Sequence, residues 1–188
     1  SEGNAIWLDA DMCSPYTFYQ FWLNTADADV IDRLKVFTFL TREQIAELET
    51  EVAERPFKRV AQRTLAWEVT SLVHGVQATE QVIAASAAVF GNGDLGAIDL
   101  PTLESVIAEL PSAKVAADDL GILNVLVASG LSKSLSEARR TVAEGGAYVN
   151  NAKVDGIETE LAESDFLHGR YAIVRRGKKN MAVAELVK

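Results

Sequence analysis

The chain has 188 residues, 48% of them hydrophobic, enough for one large or two small cores. No apolar run approaches the ~18–20 residues needed to span a bilayer, and a single cysteine, Cys13, excludes an internal disulfide and a cysteine-built zinc site. The formal charge of −9 is unevenly spread: residues 1–119 carry 8 Lys and Arg against 19 Asp and Glu, whereas residues 120–188 carry 10 against 8. Two domains with different surfaces are therefore expected, the second mildly suited to anions. The opening residues Ser1-Glu2-Gly3-Asn4 have neither the basic head nor the apolar block of a signal peptide. A cytoplasmic protein is expected, and a start on Ser1 rather than methionine reads as a fragment or a trimmed chain.

Ala5-Ile6-Trp7-Leu8-Asp9 suits either a strand or a packed extended arm. Ser14-Pro15 opens a helix, with serine as cap and proline in the first turn. Tyr16, Phe18, Tyr19, Phe21 and Trp22 cannot all face one side of it, so burial on two sides is predicted. A second helix follows the break at residues 24–29, with Val30, Ile31, Leu34 and Phe37 as its apolar stripe. Thr41 and Gln44 have capping-box spacing and open a third, with Ile45, Leu48 and Val52 inward and its glutamates largely outward. After Arg55-Pro56, helices are predicted over about 58–73 and 78–90, giving an all-α domain of about five helices over residues 1–90.

Residues 91–117 are turn-forming at Gly91-Asn92-Gly93-Asp94 and carry one short helix between Pro101 and Pro111, so they read as a linker. A compact α+β module is expected over 118–188: a helix over 120–129, a second after Ser134, strands at 147–149 and 152–154, and a hairpin from 171–175 and 180–184. In the second helix Ser134 and Glu137 are a capping-box pair, Leu135, Ala138 and Val142 point inward, and Gly145-Gly146 suits its left-handed end. Lys133, Ser136, Arg139 and Arg140 then lie on its outer side, an arrangement that suits phosphate binding and a solvated charged face equally. The basic hairpin tip, with Arg175, Arg176, Lys178 and Lys179, is a second candidate phosphate contact.

Catalytic machinery is not legible. Both histidines precede glycine (His74-Gly75 and His168-Gly169), a helix-end or turn context, and metal-ligand spacings, a phosphate-binding loop and a dinucleotide fingerprint are absent. The carboxylates fall on outer helix faces, and Cys13 has no histidine nearby in sequence. From the residues alone, this is a binding protein or part of something larger.

Several strings carry a resemblance. Trp7-Leu8-Asp9, Ser14-Pro15-Tyr16, Phe18-Tyr19-Gln20-Phe21-Trp22, residues 24–30, Phe37-Thr38-Phe39-Leu40 and Leu72-Val73-His74-Gly75 resemble bacterial tyrosyl-tRNA synthetases, in the part that follows the nucleotide-binding domain. Ser132-Lys133-Ser134, Glu137-Ala138-Arg139-Arg140 and Gly146-Ala147-Tyr148-Val149-Asn150 resemble the RNA-binding domain first described in ribosomal protein S-four, which closes the same synthetases.

The resemblance implies a helical anticodon-binding domain followed by an S-four-like domain that holds the anticodon stem and long variable arm of the tRNA for tyrosine. It implies RNA contacts at Lys133, Ser136, Arg139, Arg140, Arg175, Arg176, Lys178 and Lys179. Asp27 and Asp29 match a place where the family turns acidic groups towards anticodon bases, although helix capping accounts for them as well. The family's KFGKS-type loop would end at Ser1, and its catalytic domain, with ATP and magnesium, has no counterpart here. A tyrosine–tRNA ligase is thus implied for the parent protein. For this chain the implication is no catalytic residue, no cofactor or metal, no aminoacylation alone, a monomeric state where the intact enzyme is a homodimer, and no membrane partner. A stand-alone S-four-like regulator with an acidic helical interaction domain is the alternative reading.

Overall fold

The computed structural model describes residues 6–91 and 93–187; Ser1, Ala5 and Asn92, which entered the sequence reading, lie outside them. The chain divides into two compact units, Ser1–Ile83 and Ala84–Lys188.

The first unit is helical. It holds α1 (Pro15–Leu23), α2 (Asp27–Phe37), α3 (Arg42–Glu54), α4 (Val60–His74) and the first half of α5 (Val76–Phe90). Local chemistry sets the starts: Ser14 Oγ accepts from Thr17 N ahead of Pro15, and Thr41 and Gln44 complete the reciprocal capping box. Helix α4 packs against α1, α2 and α3, burying Leu65, Ala66 and Val69 with Phe18, Trp22, Val30 and Leu34. As expected, α1 is buried on more than one side, with Tyr16, Phe18, Tyr19 and Trp22 all inside.

Helix α4 starts two residues later than predicted. Pro56–Lys58 form a 3-10 turn and Arg59 takes a left-handed conformation at φ 48°, so the helix cannot extend back through them. That conformation aims the Arg59 guanidinium at Leu23 O (2.7 Å) and Thr25 O (3.3 Å). Gln62 Nε2 donates to Asp27 Oδ1 at 2.5 Å, so α4 holds the α1–α2 junction from beneath. At the other end Gly75, with φ 90°, separates α4 from α5 by a single residue.

The second unit contains a five-stranded sheet of order β1-β5-β4-β2-β3, from β1 (Ser112–Ala116), β2 (Ala147–Val149), β3 (Ala152–Lys153), β4 (Tyr171–Arg176) and β5 (Asn180–Val187). All neighbours are antiparallel except β1 and β5. Helices α7 (Ile122–Ala128) and α8 (Leu135–Ala143) cover one face, where Ile122, Val125, Leu126, Ala138 and Val142 meet Ala172, Val174, Ala184 and Leu186.

The other face is covered too. Ile173 and Val183, which alternate with those residues, are each only 1% exposed. Tyr171 lies on that same face, and its hydroxyl donates to Glu104 Oε1 at 2.8 Å, placing α6 (Leu100–Ile107) there. His168 Nε2 meets Ile98 O at 2.8 Å, and Asn151 Nδ2 donates to Ala88 O at 2.8 Å.

The stretch expected to be a linker holds its expected short helix as α6 and also supplies an edge strand, so the sheet has five strands rather than the four expected. The sequence hides β1 because Val115 is its one buried residue, which leaves no alternation to read. At the opposite edge the β2–β3 turn places Asn150 and Asn151 at φ 47° and 67°, a left-handed pair that asparagine tolerates.

His74 ends α4 with its ring edge-on to Phe18, centroids 4.8 Å apart. Burial lowers its pKa below the ordinary imidazole value. The unfolded chain then takes up a proton that the folded unit resists, so stability is full above the unfolded value of about 6.5 and falls as pH drops below it. Melting temperature should decline from pH 7.5 to 5 in the parent chain and decline less in His74→Gln; parallel curves would remove this role from His74.

Candidate nucleic-acid interface

Helix α8 is built by its two ends. Ser134 Oγ accepts from Glu137 N at 3.2 Å, while Glu137 Oε2 reaches back to Lys133 N at 2.7 Å. At the far end Gly145, with φ 70°, and Gly146 return their N–H groups to Val142 O and Thr141 O at 2.9 and 2.8 Å, a Schellman closure. A side chain at residue 145 would need only the flexible end of Lys153 to move aside, so the positive φ is what calls for glycine there.

The buried side consists of Ala138, Thr141 and Val142. Leu135 differs from expectation: it is 51% exposed, because the first turn extends past the edge of the core. Lys133, Ser136, Arg139 and Arg140 are all exposed.

The hairpin tip splits into parts with different environments. Strand alternation sends Arg175 and Arg176 to opposite faces of the sheet. Arg175 lies over the ring of its cross-strand partner Tyr148, 5.1 Å from the centroid, and its Nε is buried without a hydrogen bond. Arg176 turns towards α8, where Nη1 pairs with Glu137 Oε1 and donates to Leu131 O, both at 2.8 Å. Lys178 and Lys179, beyond Gly177 at φ 63°, are exposed at the tip.

Glu137 thus joins three elements: the backbone before α8, the first turn of α8, and the base of the hairpin. The Lys133 N–H and then the Arg176 guanidinium hold its carboxyl below the usual carboxylate range. The side chains of Arg139, Arg140, Lys178 and Lys179 form no ion pair among the described residues. Cations left unpaired at a surface are available to phosphate oxygens.

Asp27 and Asp29 belong to the other unit, in the first turn of α2, where negative charge favours the helix dipole. Ala26 is the N-cap and makes no side-chain cap, Asp27 is held by Gln62, and Asp29 is exposed. Sequence reasoning saw Glu137 as a cap but not as the partner of Arg176. It missed the Arg59 and Gln62 clamp as well, since its partners lie 34–37 residues away.

Among the described residues no group of three or more His, Cys, Asp or Glu could hold a metal ion. No helix among them is long and apolar enough to cross a membrane.

Known proteins match the two parts of the chain separately. Residues 1–91 match the family of class I tRNA synthetases for tryptophan and tyrosine, and residues 102–184 match the tyrosine–tRNA ligase SYY-like C-terminal domain. The tyrosine–tRNA ligase of Leifsonia xyli is 57% identical over 97% of this chain and 41% of its own length. That of Kineococcus radiotolerans is 52% identical over 97% of this chain and 43% of its own length. A solution structure of a tyrosyl-tRNA synthetase C-terminal domain is 27% identical over 51% of this chain and 97% of that one, with a TM-score of 0.42. The chain belongs to the tyrosine–tRNA ligase family, matching the C-terminal portion of its curated relatives and spanning less than half their length.

The Glu137–Arg176 pair makes a pH-dependent contribution. The folded-state pKa is depressed, so the contribution is present above the ordinary carboxylate range and is lost as pH falls through the folded value. Glu137→Gln should lower the melting temperature at pH 7, and its difference from the parent should shrink at acid pH, as the lowered carboxyl of the parent is protonated. An equal difference at both pH values would mean that the charge is not what holds the hairpin.

Proposed function

We propose that this chain is the tRNA-binding C-terminal portion of a tyrosine–tRNA ligase, which joins tyrosine to its tRNA using ATP. The observation that supports this most is a set of exposed cations, Lys133 just before α8, Arg139 and Arg140 on it, and Lys178 and Lys179 at the hairpin tip, on two elements tied together by Glu137 and Arg176. Such a surface grips phosphates on a shaped RNA and needs no base-specific contact.

In this reading the S-four-like unit holds the anticodon stem and long variable arm. Ser136 adds a neutral donor beside the arginines, and Arg175 contributes through its stack on Tyr148. The helical unit faces the anticodon, with Asp29 better placed than Asp27 to accept from a base edge because Gln62 already occupies Asp27. We assign tyrosine activation, with ATP and magnesium, to the part of the relatives' length that this chain does not span, and expect no aminoacylation from the chain alone. The same assignment makes the intact enzyme a cytoplasmic homodimer and this portion a monomer.

A second role for the helical unit is compatible with the first. An apolar cleft of about 560 Å³ on it is lined by Leu8, Phe21, Trp22, Phe37 and Leu72 among others, with Leu72 61% exposed. Such a surface suits packing against the remainder of the parent polypeptide.

The proposal makes binding to the tRNA for tyrosine strongly salt-dependent. Arg139→Ala with Arg140→Ala should weaken it at every salt concentration and reduce the slope of log K against log salt by about two. Unchanged affinity and slope, in a variant that melts like the parent, would remove α8 from the RNA contact.

A further inference from the structure

One cleft in the second unit is not used by the surface described above. It has a volume of about 650 Å³ and is lined by Phe90, Leu110, Leu131 and Met181, with Arg176 and Lys179 among its polar neighbours. That volume is in the range of sites that enclose small organic groups, ~300–1,000 Å³. Phe90 is 44% exposed at the last position of α5, an aromatic left open to solvent beside two cations.

Its walls are tied in place. Pro111 O accepts from Val183 N of β5 at 2.8 Å, which fixes the Leu110–Pro111 side. Leu131 O accepts from Arg176 Nη1 at 2.8 Å, which fixes the opposite side. Arg176 Nη1 is held by Leu131 O and by Glu137, which fixes the guanidinium in the wall of the cleft. An open cleft lined by Phe90, Leu110, Leu131 and Met181, with a guanidinium and an ammonium in the same lining, suits a flat apolar group attached to an anion.

The position narrows the class further. One side of the cleft is residues 129–131, two residues short of Lys133, and another is the hairpin, which brings the exposed Lys179 into the lining. On the RNA-binding reading, a phosphate held by Lys179 lies beside this cleft. Single bases leave the stack in loops and bulges and settle on aromatic or guanidinium planes, whereas paired bases do not.

We infer that this cleft takes one unstacked nucleotide of the bound RNA, its base against Phe90 and Met181 and its phosphate at Arg176 and Lys179. The inference rests on the RNA-binding reading and adds a specificity element to it: the protein distinguishes an RNA with an extruded base from a fully paired one.

The test uses the full chain and two RNA hairpins that differ by one bulged nucleotide in the stem. The bulged hairpin should bind about tenfold more tightly, the scale of one base–aromatic stack. Phe90→Ala and Met181→Ala should each abolish that preference while leaving affinity for the fully paired hairpin unchanged. Because Phe90 is partly exposed, its truncation should leave the fold intact, which a melting curve checks. Methyl labelling gives an independent readout, since the chain has two methionines: the Met181 signal should shift on saturation with the bulged hairpin and stay in place with the paired one. Equal affinities for the two hairpins, or an unmoved Met181 methyl at saturation, overturns the cleft while salt-dependent binding of both leaves the RNA reading standing. Absence of salt-dependent binding to either hairpin overturns both.

Discussion

The second unit depends on one carboxylate. Glu137 receives the Lys133 N–H, pairs with Arg176, and itself donates its backbone N–H to Ser134. A helix start and a hairpin base, separated by 39 positions in sequence, are thereby held as one surface. The pair is part-exposed, with side-chain exposures of 34% for Arg176 and 19% for Glu137, so its value is geometric as much as energetic. Arg176 loses its place as a free phosphate ligand on one nitrogen and gains one as the strut that orients its neighbours.

The sheet has a similar logic. Its helix-covered face has an ordinary apolar core, but the opposite face holds Ile173 and Val183 in nearly complete burial. Residues 84–107 make that possible. The Arg170–Glu104–Tyr171 cluster and the His168 and Asn151 bonds fasten that segment by its polar groups, and Arg170 continues to Glu185 at 3.2 Å. What reads as a linker by composition is structurally the second cover of the sheet, and it also contributes Phe90, Leu110 and Pro111 to the cleft.

Much was legible because it is local. Ser14-Pro15, Thr41 with Gln44, Ser134 with Glu137, and Gly145-Gly146 each act within one turn, and each builds the helix end that its spacing predicts. The apolar period in residues 58–73 marks α4, and its burial against three other helices follows from that period. The left-handed Arg59 was not legible, since arginine rarely adopts φ 48°; distant acceptors at Leu23 and Thr25 hold it there. Strand β1 was hidden for a related reason, because its pairing with β5 is its main reason to be extended.

By itself, then, the sequence determined the helix ends, the apolar stripes, the charge contrast between the halves and the family strings, all properties written within a few residues. It also named eight candidate contact residues without separating those that stay exposed, such as Arg139, Arg140, Lys178 and Lys179, from Arg175 and Arg176, which find partners within the fold. Only the tertiary structure decided what those cations face. It sent Arg175 to Tyr148 and Arg176 to Glu137, put Gln62 on Asp27, and folded the supposed linker over the sheet. Each of these joins residues far apart in the chain, and such contacts are selected by the packing of whole elements, which no local period or spacing encodes.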